Sequence, residues 1–119
     1  MGRKIIAVVV EPGKDAEIRE IDSSLESLQA IVGGYIEAIY PFEDKVALIC
    51  NEEGKIISLP FNRFLRDEYG HVCDIIAGTF LITGLTDENF GSLSEDLAKK
   101  YKDKFNDKNG IIIRGMTDE

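Results

Sequence analysis

Apolar and polar positions alternate along this chain in two different periods. Lys4-Ile-Ile-Ala-Val-Val-Val10 is a β-branched run closed by Glu11-Pro12-Gly13, the pattern of a central strand. A second strand follows over 16–21, in which Ile18 and Ile21 are out of phase, so it is short or bulged. The intervening Glu-Pro-Gly-Lys-Asp makes the pair a hairpin. The period then lengthens. Leu25, Leu28, Ile31 and Val32 recur at helical spacing. Ser23-Ser24-Leu25-Glu26 ahead of them is a capping box with Ser23 as N-cap. Gly33-Gly34 ends the helix, where a left-handed residue is commonly needed. A phosphate-cradling loop precedes its helix, whereas these glycines follow theirs, so the pair reads as a terminator.

Residues 35–42 and 45–50 read as the next two strands. A loop at Asn51–Lys55, with Gly54 in the left-handed conformation, leads to a third at Ile56–Leu59, giving an antiparallel meander over 35–59. Pro60 opens a short helical turn over 60–68, and Tyr69-Gly70-His71 is a turn. The apolar stretch 72–85 contains Gly78 and Gly84 and reads as a buried strand broken or bulged at Gly78. Ser92-Leu93-Ser94-Glu95 is a second capping box. It starts a helix over 92–108 in which Leu93, Leu97, Tyr101 and Phe105 share one face, the lysines lie on the solvated side, and Asn109-Gly110 is the stop. Residues 111–115 suggest an edge strand, and 115–119 a frayed tail. The expectation is one α+β domain over 1–119, with a mostly antiparallel sheet and two principal helices.

Charge narrows the partners. The 119 residues include 22 Asp and Glu against 14 Lys and Arg, a net charge of -8. That disfavours duplex phosphate and an anionic membrane surface. It favours solubility and suits a basic partner. No apolar run approaches the 18 or so residues of a membrane span. The opening MGRKIIAVVVEPGK lacks a cleavage site, and Ile6 stands where myristoylation requires Ser or Thr. The expected location is the cytoplasm of a bacterial host, and Cys50 and Cys73 are expected as buried free thiols.

Candidate chemistry is sparse. His71 is the only histidine. Cys73 and Asp74 lie near it, but no second histidine or CxxC completes a metal set, and no oxyanion device accompanies a Cys–His pair. Glycine-rich nucleotide loops and HExxH are absent. No catalysis, metal or cofactor is expected. The one polar constellation is Asn62, Arg63 and Arg66. On a helical turn these share a face, opposite Phe61, Phe64 and Leu65. With the free N–H groups of the turn they would form an anion or phosphate site, and arginine also stacks on planar bases. Tyr35, Tyr40 and Asn51 on neighbouring strands are placed on the same surface. The competing reading is ordinary surface ion pairing, Arg63 with Asp67 and Arg66 with Glu52, Glu53 or Glu68.

The segments EPGKDAEIREI, SLESLQAIVGGYIEAIYPF, VALICNEEGKIISLPFNRFL and DIIAGTFLITG, over about residues 4–85, resemble a family of small uncharacterised proteins. The family is classed as a domain of unknown function and is common in phages, plasmids and integrated elements of Gram-positive bacteria. Asn51, Glu52, Gly54, Pro60, Asn62 and Arg63 match its polar motifs. The resemblance supplies no catalytic residue and implies a mobile-element accessory gene. Two functional expectations follow. One is a non-enzymatic protein that sequesters a small anionic ligand, such as a nucleotide immune signal, assembled as a homo-oligomer because a small chain forms deep pockets more readily between copies. The other is an acidic protein that covers the basic surface of a host nucleic-acid-binding or defence protein.

Overall fold

The opening apolar run, Lys4–Val10, forms β1 and lies inside an antiparallel sheet. The computed structural model describes residues 3–67 and 69–106. Glu17–Asp22 (β2) returns alongside β1, pairing Lys4 with Asp22 and Val9 with Glu17. Leu25–Val32 (α1) then crosses the sheet. Ile36–Ile39 (β3) and Val46–Asn51 (β4) form the far hairpin. Phe61–Arg66 (β5) and Val72–Ala77 (β6) make a separate two-stranded sheet. Phe80–Leu85 (β7) inserts between β1 and β4, and Phe90–Gly91 (β8) pairs with its end. The strand order is β2-β1-β7-β4-β3, and Glu95–Lys104 (α2) closes the described chain. This is an α+β domain with a mostly antiparallel sheet and two helices among the described residues.

Side-chain alternation explains why β1, β4 and β7 are apolar throughout. Val8, Val10, Val46, Leu48, Cys50, Phe80 and Ile82 face α2 and the β5–β6 hairpin. Ala7, Val9, Ala47, Ile49 and Leu81 face α1, where Leu28 and Val32 meet them. A strand covered on both faces has no polar side to display. Leu25, expected in the α1 stripe, sits in its first turn and is exposed.

α2 is fastened by aromatic packing. Phe105 lies 5.1 Å from Phe80 and 6.0 Å from Phe42, ring to ring, and Tyr101 lies 4.9 Å from Phe42. The Tyr101 hydroxyl donates to Asp44 at 2.7 Å, and Lys100 pairs with the same carboxylate. Lys100 and then Tyr101 hold the Asp44 carboxyl below its usual range. Burial, and then Asp44, push the Tyr101 phenol up.

Several expectations change. The α1 N-cap is Ser24, which accepts from the Ser27 amide, while Ser23 accepts from the Arg3 amide instead. Ser94 caps α2. Gly33 ends α1 in the left-handed region, as expected, with φ 82°. The third meander strand does not form. Residues 54–59 coil tightly, with the Ile57 amide on the Glu53 carbonyl and the Leu59 amide on the Gly54 carbonyl. β4 takes β7 as its second neighbour. Gly54 is not left-handed; its role is close approach, since a Cβ there would lie 2.7 Å from the Ala77 carbonyl oxygen. The stretch 72–85 is two strands in two different sheets, turned at Gly78. α2 ends at Lys104 rather than 108. The stop at Asn109-Gly110, the strand at 111–115 and the tail lie outside the described residues.

The predicted helical turn at 60–68 is instead strand β5. The aromatic-rich segment pairs with β6, and that pairing overrides the local helical spacing. Register shifts between Phe61 and Arg63, where two residues of β5 oppose one of β6. Such a bulge lets consecutive side chains turn the same way. Asn62 and Arg63 are both buried as a result, at 0% and 2% exposure.

Candidate functional site

The predicted cluster does not assemble. Arg63 is an internal fastener. Its Nε donates to the Phe105 carbonyl at 2.8 Å, and Nη1 donates to the Asn62 carbonyl and, at 2.8 Å, to Asn62 Oδ1. Nη2 donates to the Lys14 carbonyl. One side chain therefore ties β5 to the end of α2 and to the β1–β2 turn. Asn62 Nδ2 donates to the carbonyls of Val10 and Gly78, both at 2.9 Å. Arg66 stands apart on the surface, where it donates to the Gly70 carbonyl and lies 5.6 Å from the Phe64 ring. The expected ion pairs of Arg63 with Asp67 and of Arg66 with Glu52 or Glu53 are not formed, and Glu68 lies outside the described residues. Asp67 instead shapes its own turn, accepting from the Tyr69 and His71 amides.

Of the remaining predicted residues, Tyr35 and Asn51 do meet. They line an open hollow of about 280 Å³ at the carboxyl end of α1, together with Gln29, Gly33, Gly34, Glu53 and Ile57. Asn51 is the buried wall of that hollow. Its amide donates to the Val32 carbonyl and its Oδ1 accepts from the Glu53 amide, which fixes the turn after β4. Gly34 packs closely here, since a Cβ would stand 2.9 Å from Asn51 Nδ2 and would push that amide from the Val32 carbonyl. Tyr35 is 69% exposed. Tyr40, at the other end of β3, does not line the hollow. The sequence reading missed Gln29, Glu53 and Ile57. A tyrosine placed directly after a helix-ending glycine pair was the available signal.

A second, larger cleft of about 1030 Å³ lies at the amino ends of β1 and α1. Arg3, Lys4, Ser23, Ser24, Thr86 and Asn89 line it, with Glu26, Asp87 and Glu88. Neither Arg3 nor Lys4 takes part in an ion pair among the described residues. The sequence places Lys4 at the start of the first strand and gives no sign of a cleft there.

Charge is unevenly neutralised. Lys55 pairs with Asp74 at 2.6 Å and Arg19 with Glu11 and Glu17. Glu37, Glu52 and Glu53 enter no ion pair among the described residues. Glu52 and Glu53 lie beside Tyr35: the Glu52 amide donates to the Tyr35 carbonyl, and Glu53 lines the same hollow, whereas Glu37 opposes Cys50 and so faces the other side of the sheet from Asn51. The loop beside them exposes Ile56 at 81% and Ile57 at 51%.

Nucleophilic and metal chemistry gain nothing from the geometry. Burial, and then the Glu37 and Asp74 charges, push the Cys50 thiol up to about 11. Cys73, expected to be buried, is exposed, with its thiol 3.4 Å from the Leu65 carbonyl. Both cysteines are free. His71 is exposed in its turn, 3.6 Å from Asp67. No group of three metal-ligating side chains converges among the described residues.

A family model described as "Domain of unknown function (DUF3846)" matches residues 4–106. The chain belongs to this family. No curated protein and no solved structure matches it significantly. The DUF3846 match passes residue 85 and takes in α2, which the resemblance in sequence had left outside. That extension agrees with the packing, because Arg63 reaches the carbonyl of Phe105 at the end of α2. In this DUF3846 domain the polar motif residues Asn51, Gly54, Asn62 and Arg63 hold loops and strands to one another. Among the described residues, no helix is long and apolar enough to cross a membrane.

Proposed function

We propose that this DUF3846 domain is a non-enzymatic binding module that engages a basic protein. One observation carries the reading: Glu52 and Glu53, without cationic partners among the described residues, adjoin exposed Tyr35 and the loop that exposes Ile56 and Ile57, and Glu37, also without an ion pair there, stands two residues along the chain from Tyr35. An apolar patch with a polar rim is the usual make-up of a protein-binding surface. Carboxylates on that rim steer and select a positively charged partner, and the net charge of -8 adds to the same field. The mobile-element setting that the family resemblance implies makes a host nucleic-acid-binding or defence protein the fitting class of partner. The test compares immobilised wild-type protein with the E37K/E52K/E53K variant in lysate of the source cells. Wild type should retain a basic protein at low salt and release it as salt rises, and charge reversal should weaken retention by more than about tenfold. Equal retention by both proteins would refute the reading.

A second reading is favoured by the cleft at Arg3 and Lys4. Arg3, Lys4, the amino end of α1 and several hydroxyl and amide groups offer donors to a small anion, such as a nucleotide, against the opposing charge of Glu26, Asp87 and Glu88 in the same lining. Sequestration of such a ligand would then proceed there and not at Arg63. Calorimetry should show nucleotide binding that falls about tenfold in R3A/K4A. Absence of heat with every nucleotide tried at millimolar concentration would remove it.

A further inference from the structure

The hollow beneath Tyr35 has a chemistry more specific than an acidic surface. It lies at the carboxyl end of α1, where the helix dipole places partial negative charge. Helices commonly offset that end with lysine or arginine. α2 does so with Lys102 and Lys104 in its last turn, whereas the last turn of α1 contains no basic residue. Glu53, on the wall of the hollow, adds a full negative charge and has no ion pair among the described residues. Gln29 contributes an amide, the exposed Tyr35 ring offers a π-face to a cation, and Ile57 supplies an apolar wall. Each of these features favours a cation on a carbon stem.

Size distinguishes a side chain from a whole ligand. The volume, about 280 Å³, falls just under the range of roughly 300–1,000 Å³ usual for small-molecule pockets. It is open on one side and floored by Gly33, Gly34 and Asn51, whose amide is held by the Val32 carbonyl. The site is therefore rigid at its base and shallow. A planar guanidinium can stack on a tyrosine while donating to a carboxylate, which a compact ammonium does less well.

We propose that this hollow receives an arginine side chain presented by the protein partner, with the guanidinium between the Tyr35 ring and the Glu53 carboxylate and its stem along Ile57. The proposal rests on the basic-partner reading and names the point of contact within it. Amide NMR of the whole chain, titrated with a blocked Gly-Arg-Gly peptide, tests it. Shifts should concentrate at Gly33, Gly34, Tyr35 and Glu53. Glu53→Gln and Tyr35→Ala, both at exposed positions, should each weaken binding by about five- to tenfold. Methylguanidine alone should bind more weakly than the peptide, because it lacks the stem. A blocked Gly-Glu-Gly peptide should leave these amides unmoved. The proposal is overturned if the arginine peptide shifts none of them, if shifts fall elsewhere on the acidic surface and ignore Glu53→Gln, or if methylguanidine binds as tightly as the peptide. A negative titration alongside salt-sensitive capture that E37K/E52K/E53K abolishes would sink the arginine hollow and leave the basic-partner reading standing.

Discussion

Arg63→Ala is expected to destabilise the fold by about 3–5 kcal/mol, because one truncation deprives several buried acceptors of their donor at once. The guanidinium satisfies the carbonyls of Phe105 and Lys14 and both oxygens of Asn62 in a region where Arg63 is 2% exposed. Truncation leaves those acceptors short of a donor, at about 1–3 kcal/mol for a buried group left unpaired, and opens a void as well. Lysine should not rescue it, since a single ammonium cannot reproduce a planar fork aimed at several acceptors. Asn62→Ala should be strongly non-additive with Arg63→Ala, because the two side chains share the Nη1–Oδ1 bond. Arg66→Ala, on the surface, should fall within about 0.5 kcal/mol of wild type. Urea unfolding measures all of these. A stable, folded Arg63→Ala that had lost only nucleotide affinity would contradict the fastening role and restore the ligand role.

The contrast between Arg63 and Arg66 shows where sequence reasoning succeeds and where it stops. Apolar periodicity identified β1, β2, α1, β3, β4 and α2, because each exposes or buries its faces in a local period. It also placed Leu93, Leu97, Tyr101 and Phe105 on one side of the last helix; three of the four are buried and Leu97 packs at the margin. The segment from Ile56 to Arg66 was misread for a non-local reason. Phe61, Phe64 and Leu65 fit helical spacing, but β6, which follows only after the turn at 67–71, decides the pairing. Spacing cannot reveal a bulge, so it could not show that neighbouring Asn62 and Arg63 both turn inward. Nor could it show that β7 would displace the segment 56–59 as the neighbour of β4.

The candidate site was half legible for the same reason. Tyr35 and Asn51 are brought together by the β3–β4 ladder, where Ile36 opposes Asn51, a local hairpin that the sequence predicts. Glu53 and Ile57 join them only because the loop coils back, with Gly54 packed on the Ala77 carbonyl. Arg3 and Lys4 meet Thr86 and Asn89 across a sequence separation that no motif spans. Asn62, Arg63 and Arg66 suggested an anion site because a helical turn would set two guanidiniums and a carboxamide on one face, and the segment is a strand. The structure uses the first two because a guanidinium and a carboxamide can satisfy several buried carbonyls at once.

Phe105→Ala is the second large loss expected, at about 3–5 kcal/mol, and it separates packing from hydrogen bonding at one place. The ring is 3% exposed, edge-on to Phe80 at 5.1 Å and near Phe42 at 6.0 Å. Its removal leaves a cavity where α2, β7 and the β3–β4 loop meet, and buried phenylalanines cost about this much when truncated. The Arg63 Nε bond goes to the backbone carbonyl of Phe105, which alanine retains. Phe105→Ala should therefore loosen the contact of α2 with the sheet while β5 stays anchored through Asn62 to Val10 and Gly78. Hydrogen exchange distinguishes the two variants. In Phe105→Ala the α2 amides should lose protection before those of β5, whereas in Arg63→Ala both should lose it together. Simultaneous loss in both variants, at matched total stability, would show that helix and hairpin form one cooperative unit and that the arginine is not their separate link.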